Sequence, residues 1–256
     1  MQKIKAKTSA EIEIMKEGGK KLAGVKNALK KAVGVGVKAS EIDDLAEKLI
    51  KKEGGKPSFK MVPGYCWATC VNLNEGVVHG IPKPEIVFKD GDIVSLDVGM
   101  FYKGFHTDTS TTVLVGKDKD KERFLEIGRR ALRKAIKEAK PGRRIADISA
   151  RIEETLVAAD LTPIRALVGH GIGRDLHEDP HIPCFVQGSR ESSPIIPEGA
   201  TFAIEVMYTK GTPDIYVDRA DQWTIRTRDG KIASLFEETV AVVADGPIVL
   251  TELTKD

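Results

Sequence analysis

The stretch of sequence that decides the fold is Asp92-Ile-Val-Ser-Leu-Asp-Val-Gly-Met-Phe-Tyr-Lys-Gly-Phe-His-Thr-Asp-Thr-Ser-Thr-Thr-Val-Leu-Val115. Two runs rich in β-branched residues flank a glycine-bearing turn at Lys103-Gly104, which predicts two antiparallel strands. Each predicted strand carries one carboxylate, Asp97 and Asp108, among apolar or small residues. Apart from Lys103, neither strand contains a Lys or Arg that could compensate a buried carboxylate. The hairpin therefore predicts a metal ion whose remaining ligands come from elsewhere in the chain.

Length and composition are those of an ordinary soluble globular protein. The length of 256 residues is enough for one large domain or two small ones. Of these residues 41% are hydrophobic and 30% are charged, which is typical of globular proteins. The formal net charge of +2 gives no global case for nucleic-acid binding. The first sixty residues contain fifteen lysines against eight acidic residues. Such a run indicates solvated helix faces, with docking to an anionic partner as the alternative.

The sequence predicts a cytoplasmic protein. The amino-terminal residues lack the apolar segment of a secretory signal, and no run of about eighteen apolar residues predicts a transmembrane helix. The three cysteines, Cys66, Cys70 and Cys184, follow neither a disulfide nor a zinc-site pattern. This cysteine usage indicates a reducing compartment.

Periodicity predicts the same order of elements in both halves of the chain. A helix over 11–32 and a second helix with Ser40 as its N-cap precede the hairpin. The stretch 71–78 is strand-like, and 169–183 is predicted to be a loop rich in glycine and histidine. In the second half, two helices precede three strands. The first of these helices is predicted at 121–139, and the strands are predicted at 201–208, 223–227 and 235–243.

Two segments of the first half recur in the second. Residues 35–42 match 141–148, and residues 90–98 match 198–206 at an offset of 108. Because both halves also share the order helix, helix, strands, we expect a duplicated α+β unit.

Acidic residues in later strands are further candidate ligands. Asp97 and Glu205 occupy equivalent positions of the repeat, and the last predicted strand contains Glu237 and Glu238. Such acids can converge on one face only if a cation compensates their charges. With His170, which lies among glycines, they suit Mn, Fe, Co or Zn better than a thiolate-rich zinc site does. Two such ions would hold a water or hydroxide as a nucleophile and polarise a carbonyl.

Several short motifs occur together in this chain. They are Asn74-Glu-Gly-Val-Val-His-Gly-Ile-Pro82, Asp97-Val-Gly, Asp108-Thr-Ser, Gly169-His-Gly-Ile-Gly-Arg174 with His177-Glu178, Phe202-Ala-Ile-Glu205 and Phe236-Glu237. In this combination the chain resembles the type I methionine aminopeptidases over nearly its whole length. The resemblance implies the α+β pita-bread (creatinase/aminopeptidase) fold, in which two pseudo-symmetric halves with antiparallel sheets surround a dinuclear metal site. We expect a single catalytic domain, 1–256, with internal halves at about 9–115 and 121–245.

The resemblance also implies roles for the site residues. The five ligands of two divalent ions would be Asp97, Asp108, His170, Glu205 and Glu237. Asp108 and Glu237 would bridge the ions; Asp97 would bind one ion, and His170 and Glu205 the other. Glu205 is also a candidate proton acceptor for the attacking water.

Substrate contacts follow from the same resemblance. His79 and His177 match the two non-ligand histidines that contact the substrate and help to stabilise the tetrahedral intermediate. The methionine pocket would be lined by soft apolar and aromatic side chains, which suit a thioether. They are Phe59, Tyr65, Cys70, Leu176 and Trp223.

Four positions depart from the family pattern. Phe59 stands where a smaller residue is common, and Leu176 where Phe is common. Val206 replaces the Pro that usually follows the ligand glutamate, and Glu238 replaces a His. Glu238 would add negative charge to the site, tightening metal binding or changing the metal preference. Glu237 is the predicted ligand because it aligns with the Phe/Tyr-Glu-X-Thr pattern.

The implied function is removal of the initiator methionine from nascent chains, by attack of a metal-bridging water or hydroxide on the first peptide bond. The expected partners are nascent polypeptides that begin with Met, with no membrane contact, and the expected state is a monomer. The basic amino-terminal helices suggest a contact with ribosomal RNA. One alternative is a related hydrolase, such as an Xaa-Pro peptidase or a creatinase-like enzyme, although those relatives usually carry a further amino-terminal domain. The other is a metal-free binding module, which should lack ligands that this chain has.

Overall fold

The computed structural model describes residues 4–253, so the ends of the predicted domain, 1–3 and 254–256, lie outside the described residues. The helices are α1 (Ser9–Ala32), α2 (Ala39–Lys52), α3 (Lys119–Ile136) and α4 (Ile145–Val157). None of the described helices is long and apolar enough to cross a bilayer.

Helix starts are set by side-chain caps. Thr8 and Glu11 form a capping box at the start of α1. The prediction of Ser40 as the N-cap of α2 is wrong, because the backbone N–H of Lys38 donates to Glu41 at 3.1 Å and the helix begins at Ala39. Asp43, which lies three residues after Ser40, accepts hydrogen bonds from the backbone N–H groups of Ala68 and Thr69.

The described strands are short apart from four that cross the middle of the molecule. In chain order they are β1 (Lys56–Pro57), β2 (Thr69–Leu73), β3 (Gly76–Val78), β4 (Ile93–Tyr102), β5 (Phe105–Leu114), β6 (Thr162–Pro163), β7 (Val168–Gly171), β8 (Glu178–Pro183), β9 (Thr201–Thr209), β10 (Ile215–Val217), β11 (Ile225–Thr227), β12 (Ala233–Val243) and β13 (Gly246–Val249).

Ten strands form one antiparallel sheet with the central path β1-β4-β5-β12-β9-β7-β8, and β2, β6 and β13 pair at its sides. The predicted hairpin is confirmed as β4 and β5, with its turn at Lys103-Gly104. The duplicated order is confirmed as well: α1, α2 and β4-β5 in the first half correspond to α3, α4 and β9-β12 in the second. The halves meet where β5 pairs with β12. A second sheet joins β10, β11 and β3.

Two predicted segments differ from the structure. The stretch 71–78 is two strands, because the turn at Asn74 (φ 50°) separates β2 from β3. The predicted loop 169–183 contains β7 and β8, so that prediction is wrong and His170 lies on a strand.

Alternation along the long strands separates a helix-facing side from a site-facing side. On β4, Leu96 and Val98 pack with α1 and α2, so Asp97 between them faces the other way. On β9, Phe202 and Ile204 pack with α3 and α4 in the same manner. A third apolar cluster contains Tyr65 together with Ile12 and Met15 from the start of α1. Asp97 therefore lies on the face of β4 that does not pack against the helix cluster of Leu96 and Val98.

Candidate active site

Five ionisable side chains from five neighbouring strands line one cavity of about 130 Å³. They are Asp97 on β4, Asp108 on β5, Glu237 on β12, Glu205 on β9 and His170 on β7. The structure therefore brings together all five residues that the resemblance implies as ligands.

Strand register explains this convergence. Ser110 on β5 is paired with Asp97 on one side and with Glu237 on the other, and Glu237 is paired with Glu205. These residues form one row across four strands, which are about 4.8 Å apart. Asp108 lies two residues from Ser110 on the same face and is paired with Gly99. The residue types and their register together place the acids at one point of the sheet.

His170 presents one ring nitrogen to the acids. Its Nδ1–H donates to the carbonyl oxygen of Gly171 at 2.9 Å, which leaves Nε2 free to face Glu205 Oε1 at 3.5 Å. Ligand atoms of Asp108, His170 and Glu237 all lie within 4.8 Å of one another, and all three residues are buried. Fixing one nitrogen by a backbone hydrogen bond is how proteins orient a histidine toward a metal.

Burial and mutual repulsion raise the pKa values of the acids. Burial raises the pKa of Asp97, Glu205 and Glu237 well above the usual range, and the charge of Asp108 raises all three further. Burial also raises the pKa of Asp108 to about 7, although a hydrogen bond from Thr109 opposes the shift. The cluster therefore disfavours its own negative charge unless a cation joins it.

The residues present fit a divalent cation. Asp97 Oδ1 is buried and has no hydrogen-bond partner in the described structure, so its desolvation is uncompensated by the protein. Burial lowers the pKa of His170 to about 3, so its imidazole is neutral and able to ligate. Four carboxylates and one imidazole are the donors that Mn, Fe, Co and Zn accept.

Two threonines that sequence reasoning missed hold the acids in place. Thr239 Oγ1 accepts the Asp108 N–H at 2.9 Å and contacts the Asp108 carbonyl oxygen at 2.7 Å. The Thr109 N–H donates to Asp108 Oδ1 at 2.9 Å. The one proton of its hydroxyl is shared between the carbonyl oxygen of Glu237 at 2.9 Å and Glu238 Oε2 at 3.0 Å. Threonine is common in strands, so the sequence carries no signal for this role.

Glu238 lies on the opposite face of β12 from Glu237. Its carboxylate accepts from Lys26 Nζ at 2.5 Å, from Thr109 Oγ1 at 3.0 Å and from Thr251 Oγ1 at 2.5 Å. The Glu238 carboxylate thus lies away from the cavity and pairs with Lys26, but its charge still contributes to the raised pKa of Glu237, so part of the expected negative charge reaches the site.

Val206 also does not disturb the site. It is fully buried on the helix-facing side of β9, and it is paired with Phe236 in unbroken ladder register. The strand that carries Glu205 is thus held by regular sheet pairing without a proline.

The predicted pocket residues line the same cavity. These are Phe59, Tyr65, Cys70, Leu176 and Trp223, together with His79 and His177. Val62 and Val78 complete the lining and were missed by sequence reasoning, since apolar residues next to turns and strand ends are common.

Aromatic edges shape the pocket. The rings of Tyr65 and Trp223 meet at 73° with centroids 5.1 Å apart, and the Tyr65 hydroxyl donates to the carbonyl oxygen of Thr69 at 2.9 Å.

His79 has a positive φ of 57°, and burial lowers its pKa. Burial also lowers the pKa of His177, whose ring meets that of His170 at a centroid distance of 4.5 Å. Both histidines line the cavity and keep exposed surface, so a ring N–H of either is available to a carbonyl oxygen.

His106 is a further buried histidine behind the pocket that sequence reasoning did not assign. Its Nδ1 lies 2.9 Å from Ser58 Oγ, and its backbone N–H donates to the carbonyl oxygen of Gly173 at 2.7 Å. Burial lowers its pKa to about 4, so the ring is neutral. It links the segment that carries Phe59 to the segment that carries Leu176.

Comparisons with known proteins agree with this geometry. Residues 13–244 match metallopeptidase family M24. Methionine aminopeptidase 1 of Bacillus subtilis is 40% identical over 252 residues, which cover 98% of this chain and 100% of that relative. The Aquifex aeolicus methionine aminopeptidase is 36% identical over 98% of this chain and 99% of its own length.

Solved structures show the same similarity in three dimensions. The methionine aminopeptidase of Thermotoga maritima superposes with a TM-score of 0.94, at 41% identity, over 98% of this chain and 100% of its own. Prolidase from Pyrococcus furiosus shares the fold at a TM-score of 0.76 and 22% identity, and the match covers 66% of that chain. Whole-length sequence identity, the shared fold and the converging acids lead to one conclusion: the chain belongs to metallopeptidase family M24, within its methionine aminopeptidase branch.

Proposed function

We propose that this enzyme is a metal-dependent aminopeptidase that removes methionine from the amino terminus of nascent polypeptides. The observation that carries the proposal is that one cavity of about 130 Å³ is lined both by the carboxylate-rich cluster and by apolar and aromatic side chains. The pocket can hold one side chain while the cluster meets the peptide bond that follows it. The whole-length relatives named above carry the same activity in their names.

We further propose that two divalent ions occupy the cluster, with Mn, Fe, Co and Zn as candidates. Asp108 and Glu237 lie on the two central strands, β5 and β12, and would be the ligands that both ions share. Asp97 lies on the flanking strand β4 and would bind one ion, while Glu205 and His170 on β9 and β7 would bind the other. When bound, such ions supply a water acidic enough to act as a nucleophile at neutral pH and polarise the substrate carbonyl.

The protein side chains then bind, orient and move protons. Glu205, whose carboxylate lines the cavity beside His170, can take the proton of the attacking water. His79 and His177 stand at the cavity with neutral rings, from which an N–H can donate to the carbonyl oxygen as negative charge develops there. Tyr65, Cys70 and the other pocket residues hold the thioether and exclude water.

The first test is cleavage of a Met-Ala-Ser peptide by ligand variants. Asp108→Asn and His170→Ala should each lower kcat/KM by at least about 10³-fold, because each removes a ligand of the cluster. Metal content should be measured on the same samples, with Lys48→Ala, an exposed change on α2, as the control. Near-wild-type activity with full metal occupancy in either ligand variant would overturn the ligand assignment.

Substrate choice separates the main proposal from its alternative. The likeness to prolidase concerns the fold, so the same panel should include an Ala-Pro dipeptide. Cleavage of Ala-Pro in preference to Met-Ala would favour a proline-specific hydrolase. We expect the reverse preference, since the pocket is built from apolar and aromatic side chains.

We also propose that the enzyme meets its substrates at the ribosome in the cytoplasm. Support comes from a groove of about 960 Å³ between α1 and α3. Its cationic lining residues are Lys26, Lys30, Arg129, Arg130, Arg133, Lys134 and Lys137. RNA phosphates are the anionic partner that such a surface would suit. The free thiols of Cys66, Cys70 and Cys184 are consistent with a reducing compartment.

Co-sedimentation with ribosomes tests this surface. A triple variant, Lys30→Glu, Arg130→Glu and Lys134→Glu, should lose binding, because it reverses exposed charges along the groove. The matched control reverses three exposed lysines elsewhere, Lys48, Lys89 and Lys117. Binding that survives the first variant, or that does not weaken with salt, would contradict the proposal.

A further inference from the structure

A short amino-terminal arm, 4–8, lies against the segment that carries two pocket residues. The Lys7 N–H donates to the carbonyl oxygen of Gly199 at 2.7 Å, which attaches the arm to the turn before β9. The Lys7 ammonium donates to Glu178 Oε2 at 2.5 Å and to the carbonyl oxygen of Lys5 at 3.0 Å. The side chains of Lys7 and Glu178 are only 5% and 1% exposed. Lys7 is thus a buried cation that no step of the proposed chemistry uses.

Glu178 connects this cation to the pocket. Its second oxygen, Oε1, accepts the backbone N–H groups of Arg174 at 2.9 Å and Asp175 at 3.3 Å. The carboxylate therefore closes the loop 173–177, which carries Leu176 and His177 into the cavity. A carboxylate at this depth is costly unless it is paired, and Lys7 is the partner that pairs it.

The arm fits a space that two glycines leave open. A Cβ on Gly173 would overlap Lys7 Cε and lie 2.7 Å from its Nζ. A Cβ on Gly199, where φ is +82°, would lie 2.5 Å from the carbonyl oxygen of Lys7. Both glycines belong to the second half of the chain, so that half forms the surface against which the arm packs.

Two other ion pairs lie near this loop. Lys5 pairs with Asp175 at 3.1 Å with side chains 57% and 66% exposed, and Arg174, which is 67% exposed, pairs with Glu11 of α1 at 2.6 Å. Exposed charges contribute little because water and salt screen them. The Lys7–Glu178 pair is the buried ion pair at this loop, and it acts beside the backbone hydrogen bond from His106 to Gly173.

We propose that Lys7 is a positioning residue for substrate binding, acting through Glu178 on the loop that carries Leu176 and His177. The inference rests on the proposed function, because it assigns the loop to the site that receives the amino-terminal methionine. Lys7 is not among the residues that line the cavity; its ammonium pairs with Glu178, and Glu178 keeps the backbone N–H groups of Arg174 and Asp175 in place.

The test compares Lys7→Met with Lys5→Met in the full-length, metal-loaded enzyme. Methionine keeps the length of lysine but removes its charge. For a Met-Ala-Ser peptide, Lys7→Met should lower kcat/KM by about 10- to 100-fold, chiefly through KM, because the pocket wall is displaced while the metal ligands are not. Lys5→Met should change kcat/KM by less than about twofold.

Two further measurements distinguish positioning from a general loss of stability. The double variant Lys7→Met/Glu178→Gln removes both charges but keeps an oxygen that accepts the two backbone N–H groups. Its KM should therefore fall most of the way back to the wild-type value. Hydrogen exchange at the amides of Arg174 and Asp175 should speed up in Lys7→Met and slow again in the double variant. Metal content should be equal in all samples.

The proposal is overturned if Lys7→Met raises KM no more than Lys5→Met at equal metal content, or if the amides of Arg174 and Asp175 stay protected. Failure of wild-type enzyme to cleave Met-Ala-Ser would instead refute the proposed function. The exchange measurement needs no substrate, so the effect of Lys7 on the loop can be judged in either case.

Discussion

Replacement of Glu238 by Ala tests how the chain accommodates this acid next to Glu237. In the structure Glu238 joins three elements, since its carboxylate accepts from Lys26 on α1, Thr109 on β5 and Thr251 after β13. Alanine removes all three hydrogen bonds. The Lys26 ammonium is left with Thr109 Oγ1, at 2.7 Å, as its remaining partner.

The expected loss follows from the burial of the pair. Breaking a fully buried pair costs about 3–5 kcal/mol, and breaking an exposed one about 0–1 kcal/mol. The side chains of Lys26 and Glu238 are 14% and 17% exposed, near the buried limit. We therefore expect Glu238→Ala to lower the free energy of unfolding by about 2–3 kcal/mol.

Urea denaturation of the metal-free protein measures this loss without a contribution from the ions. The matched control is Lys26→Met/Glu238→Leu, which replaces the pair by apolar side chains and should stay within about 1 kcal/mol of wild type. A loss below about 0.5 kcal/mol for Glu238→Ala would refute the reasoning. So would a double variant that is no more stable than the single one.

Three further predictions follow from other parts of the molecule. Gly128→Ala should lower the free energy of unfolding by about 1–3 kcal/mol, because the added Cβ would lie 2.5 Å from Tyr208 Cε1; calorimetry showing no change would contradict it. Burial raises the pKa of Asp221, but hydrogen bonds from Thr224 and Trp223 outweigh burial and lower it to about 2. Because this folded-state pKa is depressed, Asp221 should stabilise the fold by about 2 kcal/mol above pH 4, a contribution lost as pH falls toward 2. Wild type and Asp221→Asn should thus converge in urea stability between pH 5 and 2.5, and a constant difference would exclude this linkage. Chelation with EDTA should abolish cleavage and lower the Tm, because the buried carboxylates then repel one another without a cation between them. A Tm that re-added Mn does not raise would argue against a metal at this site.

Much of the fold was predictable because its long elements have strong local patterns. The hairpin of β4 and β5 follows from β-branched runs around Lys103-Gly104, and α1 follows from its apolar stripe. The short strands β7 and β8 were not predictable. Their residues include Gly, His and Pro without alternation, and their strand geometry comes from pairing with each other and with β9.

The site also has features that the sequence predicts and features that it does not. The acids, the histidine and the internal repeat were visible in the sequence, and so was the need for a cation. The supports of Asp108 were not visible, because Thr239 is separated from it by more than a hundred residues and looks like any strand threonine. The space that Lys7 occupies likewise depends on Gly173 and Gly199, which are distant from it in the sequence.

By itself the sequence determined which residue types lie in strands, and the resemblance it carries determined the family. Only the tertiary structure decided which way each side chain faces. Glu237 and Glu238 are adjacent acids, yet one joins Asp108 and His170 while the other pairs with Lys26. The physical reason is that successive side chains of a strand point to opposite faces, and the packing of helices against one face leaves the acid on the other face to the site.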